Sequence, residues 1–223
     1  MSLKNSDLQY YDGNILRLSS EKRKEYHAQV DNLIAELRKH ITVNSDLKVK
    51  KVVKAGSFAK FTILKKTAED DIDVDVVFYI DGKNIDDTTL DNLNDLIYSL
   101  LTKIYPTKAV EDFEIQRRAA TVTFVKSGIS VDIVPVIQDE SNPNHGWQYD
   151  LKSKERNLTC APCHIQFIRD RKNSDKHYRT LVRMAKRWKN FENPPGLKSF
   201  HIELILGRVI NYLEENHLVP IIL

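Results

Sequence analysis

Asp71, Asp73 and Asp75 alternate with Ile72, Val74 and Val76, which puts three carboxylates on one face of a period-two strand. Carboxylates side by side repel one another, and burying even one without compensation is costly. A divalent cation removes the conflict, because hard Mg²⁺ takes carboxylate and phosphate oxygens. Asp132, in Ser130-Val-Asp-Ile-Val-Pro135, is again a single acid in an apolar, β-rich run. If its strand lies beside the first, the acids converge on a site for two Mg²⁺ ions, with Mn²⁺ able to substitute. Such a pair would activate an attacking hydroxyl and neutralise a leaving pyrophosphate. Taken alone, the alternation is better read as the solvated face of a half-buried sheet.

The residues upstream shift that balance. Val49 to Lys54 reads as a short strand, followed at once by Gly56-Ser57 and by Phe58-Ala-Lys60, which could begin a helix. Glycine lets the backbone approach a phosphate closely, free N–H groups at a helix start attract anions, and the serine hydroxyl adds a donor. Gly-Ser alone is an ordinary turn. In the order strand, Gly-Ser, short helix, carboxylate strand, distant carboxylate strand, it becomes specific.

The elements that must position these residues can be laid out along the chain. Ser19 and Ser20 are N-cap candidates for a long amphipathic helix over about 20–40, with Tyr26, Val30, Leu33, Ile34 and Leu37 at helical spacing. The aspartate strand continues through Val77-Phe-Tyr-Ile80 to Asp81-Gly82. A second helix carries Leu90, Leu93, Ile97, Leu100 and Ile104. Glu114–Val125 and Ile129–Val136 read as two strands joined at Ser127-Gly128. After Pro143 the pattern is helical, over about 162–172, 174–190 and 198–217, with Ile202, Leu204, Ile205, Val209 and Leu213 as a core stripe. The expected fold class is α+β, a mixed sheet with a long N-terminal helix packed on a C-terminal helical lobe, the cleft between them. The expected domains are 1–155 and 156–223.

The residues Ala55-Gly-Ser57, Asp71-Ile-Asp-Val74 and Val131-Asp-Ile133 resemble the nucleotidyltransferase superfamily that includes DNA polymerase beta. Within it, Gly56-Ser-Phe-Ala59, Asp71–Val77, Val131-Asp-Ile-Val-Pro135, Lys186-Arg-Trp-Lys189, Lys198-Ser-Phe200 and Glu203-Leu204 are most similar to the bacterial CD-NTases. These are relatives of cyclic GMP–AMP synthase and oligoadenylate synthase. The resemblance implies that Gly56 and Ser57 bind the donor phosphates. Asp71, Asp73 and Asp132 would be the catalytic metal ligands, and Lys186 and Ser199 would reach the triphosphate. It implies a template-independent enzyme that joins ATP and other NTPs into cyclic di- or trinucleotide second messengers for anti-phage defence, and the polar N-terminus and lack of a membrane-length apolar run read as a cytoplasmic protein. A downstream effector would be activated by the product, and a regulatory protein is a possible further partner. The alternatives are transfer of nucleotides to RNA ends or small molecules, and a catalytically silent nucleotide-binding module. The chain departs from the family in a long gap after Ser57, in Phe61 where a glycine is usual, and in Asp73-Val-Asp75, which offers a second register. The shorter gap favours Asp71 and Asp73. The family usually continues through further helices, so the helical lobe reads as short.

Cys160-Ala-Pro-Cys163-His164 has the text of a haem or redox motif. Haem attachment needs an export signal, which is not visible here, and the redox pair normally follows a strand in a different fold. Some relatives hold zinc in this region, which would use Cys160, Cys163, His164 and either His145 or His177. A loop-to-helix turn is the preferred reading, and two cysteines here are not expected to form a structural disulfide. Nine Lys or Arg residues between Arg169 and Lys189 suit a solvated helix face, with positions 179, 183, 186 and 187 on one side. Some of these four could line the nucleotide cleft, and long nucleic acid is a weaker possibility. Tyr149 or Tyr178 could stack on a base. The net charge of +3 is too mild to name a partner, and no apolar run is long enough to cross a bilayer.

Overall fold

The structure, a computed structural model, describes residues 4–66, 72–82 and 87–215. The described residues contain seven α-helices and one seven-stranded sheet. Asp71 lies outside them. The chain divides into two compact units that are discontinuous in sequence. One comprises 20–59 and 73–164, and the other 1–19, 60–72 and 165–223.

The first unit is built on β1 (Val49–Lys54), β2 (Ile72–Ile80), β3 (Phe113–Ile115), β4 (Ala120–Phe124), β5 (Ile129–Gln138), β6 (Gly146–Asp150) and β7 (Glu155–Thr159). The strands run in the order β1-β2-β5-β4-β3, with β6 added to β5 and β7 to β6. The expected strand 114–125 is two strands, because the chain reverses between Ile115 and Ala120 through the Gln116 N–H to Ala119 carbonyl bond. The β6–β7 hairpin also corrects the helical reading after Pro143. It carries little alternation of apolar residues, so its pairing comes from the register Gly146↔Thr159 through Asp150↔Glu155 rather than from a buried face.

Helix α2 (Ser20–Asn44) buries Tyr26, Val30, Leu33, Leu37 and Ile41, the i, i+3, i+4 stripe of an amphipathic helix. Each such side chain contributes about 1.5–3 kcal/mol when fully removed from water. Helix α4 (Asp87–Ile104) adds Leu90, Leu93, Ile97, Leu100 and Leu101. Its Leu90 and Leu93 pack on Ile80 of β2 and Ile137 of β5. The opposite face of the same two strands carries Val77, Tyr79 and Val136, clustered with Ala55 and Ala161, with Val53 and Val134 against them.

The second unit contains α1 (Asn5–Tyr10), the π-helical segment Tyr11–Leu16, α6 (Tyr178–Glu192) and α7 (Ser199–Glu215). Helix α5 (Ala161–Ser174) is shared, the division falling after His164. Ile168, Tyr178 and Val182 form its core with Phe167, Leu181 and Leu206. Tyr178 is fully buried, which removes it as a base-stacking platform. The expected core stripe of α7 is also corrected. Ile202 is buried, but Leu204, Ile205 and Val209 are 36%, 52% and 45% exposed. The face that packs carries Ile202, Glu203 and Leu206 instead, because Glu203 is drawn inward by two lysines.

The N-terminal segment is locked by Asp12, which is 2% exposed. Arg183 donates to it from Nε at 2.6 Å and Nη2 at 2.7 Å, with Arg17 and the Thr180 hydroxyl adding further bonds. Burial works to raise the Asp12 carboxyl, but these partners outweigh it and hold the group below the usual range. Arg183 is itself only 3% exposed. Asp12→Ala would therefore strand a buried guanidinium, a loss of about 3–5 kcal/mol. Chemical denaturation is the check, and an unchanged midpoint would mean that this bridge contributes nothing.

Candidate active site

The parity of the sheet puts the acids on one face. Asp73 and Asp75 share the register of Val77 and Tyr79, while Asp132 shares that of Val134 and Val136. All three therefore stand on the face opposite α4, on neighbouring strands β2 and β5. The apolar residues between them, Val74, Val76, Val131 and Ile133, are buried on the other side. Asp73 is exposed and Asp75 half-buried.

Gly56 sits beside this face. It has φ +59°, a left-handed backbone that glycine adopts without strain. A Cβ built there would stand 1.6 Å from Asp75 Oδ2, so the carboxylate lies directly against the glycine backbone. The Ala55 N–H donates to the Asp75 carbonyl at 2.7 Å and continues the β1–β2 pairing into the turn. Ser57 follows in the short helix α3 (Gly56–Lys60) and is half-buried.

Asp132 is held from the other side. Thr121, its partner across β4 and β5, donates its hydroxyl to Asp132 Oδ1 at 2.6 Å. Burial pushes the Asp132 carboxyl up, the Thr121 bond opposes this, and Glu114 raises it further. A carboxyl with that tendency, on the same face as two other acids, suits a site completed by a cation. The donors are oxygens throughout, which fits a hard divalent ion such as Mg²⁺ or Mn²⁺. Thr121 was not among the expected site residues. Its only sequence signal is a polar residue between Ala119-Ala120 and Val122 in a buried strand.

The expected residues of the helical region have a different setting. Lys186, 4% exposed, donates to Glu203 Oε1 at 2.7 Å and to Thr62 Oγ1 at 3.0 Å. Ser199 opens α7 and is half-buried. Of the four cations expected on one side of α6, Arg183 and Lys186 are thus committed to internal carboxylates.

Cys160 and Cys163 are joined in a disulfide, contrary to the expectation that they would not pair. The reason is local. The chain leaves β7 and enters α5 at once, so the first helical turn brings the two Cα atoms to 5.2 Å. The bridge closes a loop too short to constrain the unfolded chain much. His145 is the histidine that lies with them, the three ligand atoms all within 4.8 Å of one another.

A model of the family described as "Second Messenger Oligonucleotide or Dinucleotide Synthetase domain" matches residues 1–171. The chain belongs to this family. It is a CD-NTase of the polymerase beta-like superfamily, as its motifs imply. A relative from Escherichia coli strain KTE188, "CBASS oligonucleotide cyclase CdnC", is 54% identical over 211 residues, covering 94% of this chain and 67% of the relative. The "Cyclic AMP-AMP-AMP synthase" of E. coli strain MS 115-1 is 32% identical over 88% of this chain and 61% of its own length. The solved structure of E. coli MS115-1 CdnC with ATP superposes with a TM-score of 0.75 at 29% identity, covering 94% of this chain and 66% of that one. Vibrio cholerae DncV, 13% identical with a TM-score of 0.67 over 86% of this chain and 69% of its own, shares the fold. This CD-NTase chain spans about two thirds of the length of the CdnC relatives it matches.

Proposed function

We propose that this CD-NTase is a metal-dependent nucleotidyltransferase that links NTPs into a cyclic oligonucleotide signal in a bacterial anti-phage system. The observation that carries the reading is the placement of Asp73, Asp75 and Asp132 on one sheet face, with Asp75 against the Gly56 turn. The names of the relatives, an oligonucleotide cyclase and a cyclic AMP-AMP-AMP synthase, support the same reaction class.

In this reading the register of the metal pair is Asp73 and Asp75. What supports it is contact: Asp75 touches the Gly56 backbone, and a phosphate lying on that turn would come within reach of an ion held by Asp75. Asp73, Asp75 and Asp132 would hold two Mg²⁺ ions, which when bound supply charge neutralisation for the triphosphate and a lowered pKa for the acceptor hydroxyl. Gly56 admits the phosphates close to the main chain, and the Ser57 hydroxyl adds a donor. Thr121 keeps the Asp132 carboxylate turned toward the face. Lys186 and Ser199 serve the triphosphate, as the family motif implies. ATP is a substrate, consistent with the ATP-bound CdnC structure. A HORMA-type regulator is a candidate partner, consistent with the CdnC:HORMA-deltaN complex. The downstream effector responds to the product, in the cytoplasm. No helix among the described residues is long and apolar enough to cross a membrane.

The test is incubation of the chain with Mg²⁺ or Mn²⁺ and all four ribonucleoside triphosphates, with phosphatase-resistant products identified by mass spectrometry. Cyclic di- or trinucleotides are the expected result. Linear oligomers would instead show an end-adding transferase, and ATP binding without product a nucleotide-binding module.

A further inference from the structure

Three buried ionisable side chains meet in the unit that contains α6 and α7, and their charges do not cancel. Lys60 Nζ lies 2.5 Å from Glu203 Oε2, and Lys186 Nζ 2.7 Å from Glu203 Oε1. The side chains are 8%, 6% and 2% exposed for Lys60, Lys186 and Glu203. Two ammonium groups thus share one carboxylate. A single buried lysine needs a single partner, and a second cation in the same shell adds desolvation cost without a second counter-charge.

The surrounding groups fix this arrangement and do not relieve the surplus. Thr62 donates its hydroxyl to Glu203 Oε1 at 2.9 Å and accepts from Lys186 at 3.0 Å, so it sets the angle of the Lys186 ammonium. The Tyr178 hydroxyl donates to the Glu203 carbonyl at 2.7 Å, which pins that turn of α7 to α6. Arg183, one turn before Lys186, is occupied by Asp12 and by the Phe61 carbonyl. Among the described residues the anionic group facing the two lysines is therefore Glu203 itself, with Arg183 adding further positive potential.

We infer that Glu203 is a positioning residue for nucleotide binding, holding Lys60 and Lys186 as a fixed pair whose surplus positive charge is completed by a phosphate group of the bound nucleotide. The inference rests on the nucleotidyltransferase reading above and adds Lys60 and Glu203 to it. Among the described residues Lys60 bonds to Glu203, with the Phe200 ring centroid 6.0 Å from its ammonium. Burial holds the Lys186 ammonium below the ordinary lysine range, and Glu203 is the main group working against that. Without Glu203, burial is unopposed and the Lys186 ammonium is held lower still, and the neutral amine that forms as it loses its proton no longer attracts phosphate.

The test is equilibrium binding of ATP, and of adenosine as a probe without phosphates, to the full chain at pH 8 and pH 6. Wild type is compared with Lys60→Ala, Lys186→Ala and the near-isosteric Glu203→Gln. ATP affinity should fall about tenfold in each variant at pH 8, the scale of one charge-assisted contact, with adenosine unchanged. In Glu203→Gln alone, ATP affinity should recover toward wild type at pH 6 as Lys186 regains its proton. Wild-type or tighter ATP binding by Glu203→Gln at both pH values, beside weakened lysine variants, would overturn the positioning role. Lysine variants that bind ATP as wild type does would overturn the phosphate role of the pair while leaving the nucleotide reading standing. A wild-type chain that binds no ATP would overturn that reading, and this inference with it. If Glu203→Gln does not fold, Thr62→Val takes its place: it keeps all three charges and removes the hydroxyl that sets Lys186. It should weaken ATP but not adenosine, and equal affinity for ATP would count against the inference.

Discussion

Asp75→Asn should lower kcat/KM by about a thousandfold or more, while Asp71→Asn should stay within about tenfold of wild type. The expectation follows from what Asp75 touches. Asp75 lies against the Gly56 backbone and on the same face as Asp73 and Asp132. Removing one charged ligand of a divalent ion forfeits several kcal/mol of charge stabilisation, and each 1.36 kcal/mol is tenfold in rate. The substitution keeps the shape of the side chain and removes a charge from a crowded set, so the fold should hold or gain slightly. A second readout separates ligand from scaffold. Mg²⁺ or Mn²⁺ should raise the melting temperature of wild type in proportion to its binding, and should not raise that of Asp75→Asn. The reverse pattern, with Asp71→Asn inactive and Asp75→Asn active, would restore the Asp71–Asp73 register.

Gly56→Ala should cost about a hundredfold in turnover with the fold retained. Two effects combine. A residue with a Cβ at φ +59° is strained by about 1 kcal/mol, which a chain of this size tolerates. The second effect is local and harder to absorb. The new methyl would stand 1.6 Å from Asp75 Oδ2 and 2.6 Å from its Cγ, so the carboxylate must rotate away. A displacement of about 1 Å at a catalytic group is enough for a loss on the order of a hundredfold. Gly13→Ala is the control, since a Cβ there meets nothing within 4 Å, and its kinetics should match wild type. Wild-type kcat in Gly56→Ala would show that Asp75 is free to move without consequence, and would remove the contact from the site.

Much of this could be read from residue order. Period-two alternation marks a strand because side chains alternate faces whatever surrounds them, so Asp73 and Asp75 were bound to share a face. The stripe of α2 and the short β-branched stretch before Gly56 are local patterns of the same kind. The family resemblance rests on short motifs of this sort, which is why it survived comparison with whole structures. Gly56 could also be singled out, since a glycine between a strand and a helix marks either a turn or a close approach.

The rest depended on pairings between residues far apart in the chain. That Asp132 shares the face of Asp75 follows from β2 and β5 being neighbours with helix α4 covering the other side, which no local pattern encodes. The preference for Asp75 over Asp71 came from its contact with Gly56, nineteen positions earlier in the sequence but adjacent in space. Arg183 and Lys186 looked like members of a solvated basic face. Only packing showed them buried on Asp12 and Glu203, because charge sequence records the number of cations and not the carboxylates brought to them from 171 and 17 residues away. The same holds for α7, where the apolar stripe and the inward-facing Glu203 compete for one helix face and two lysines decide the outcome. Residue types and short spacings determined the chemistry available to this protein. Tertiary structure decided which carboxylates share a face and which are buried against cations, because desolvation and charge pairing act on distances that the order of residues does not contain.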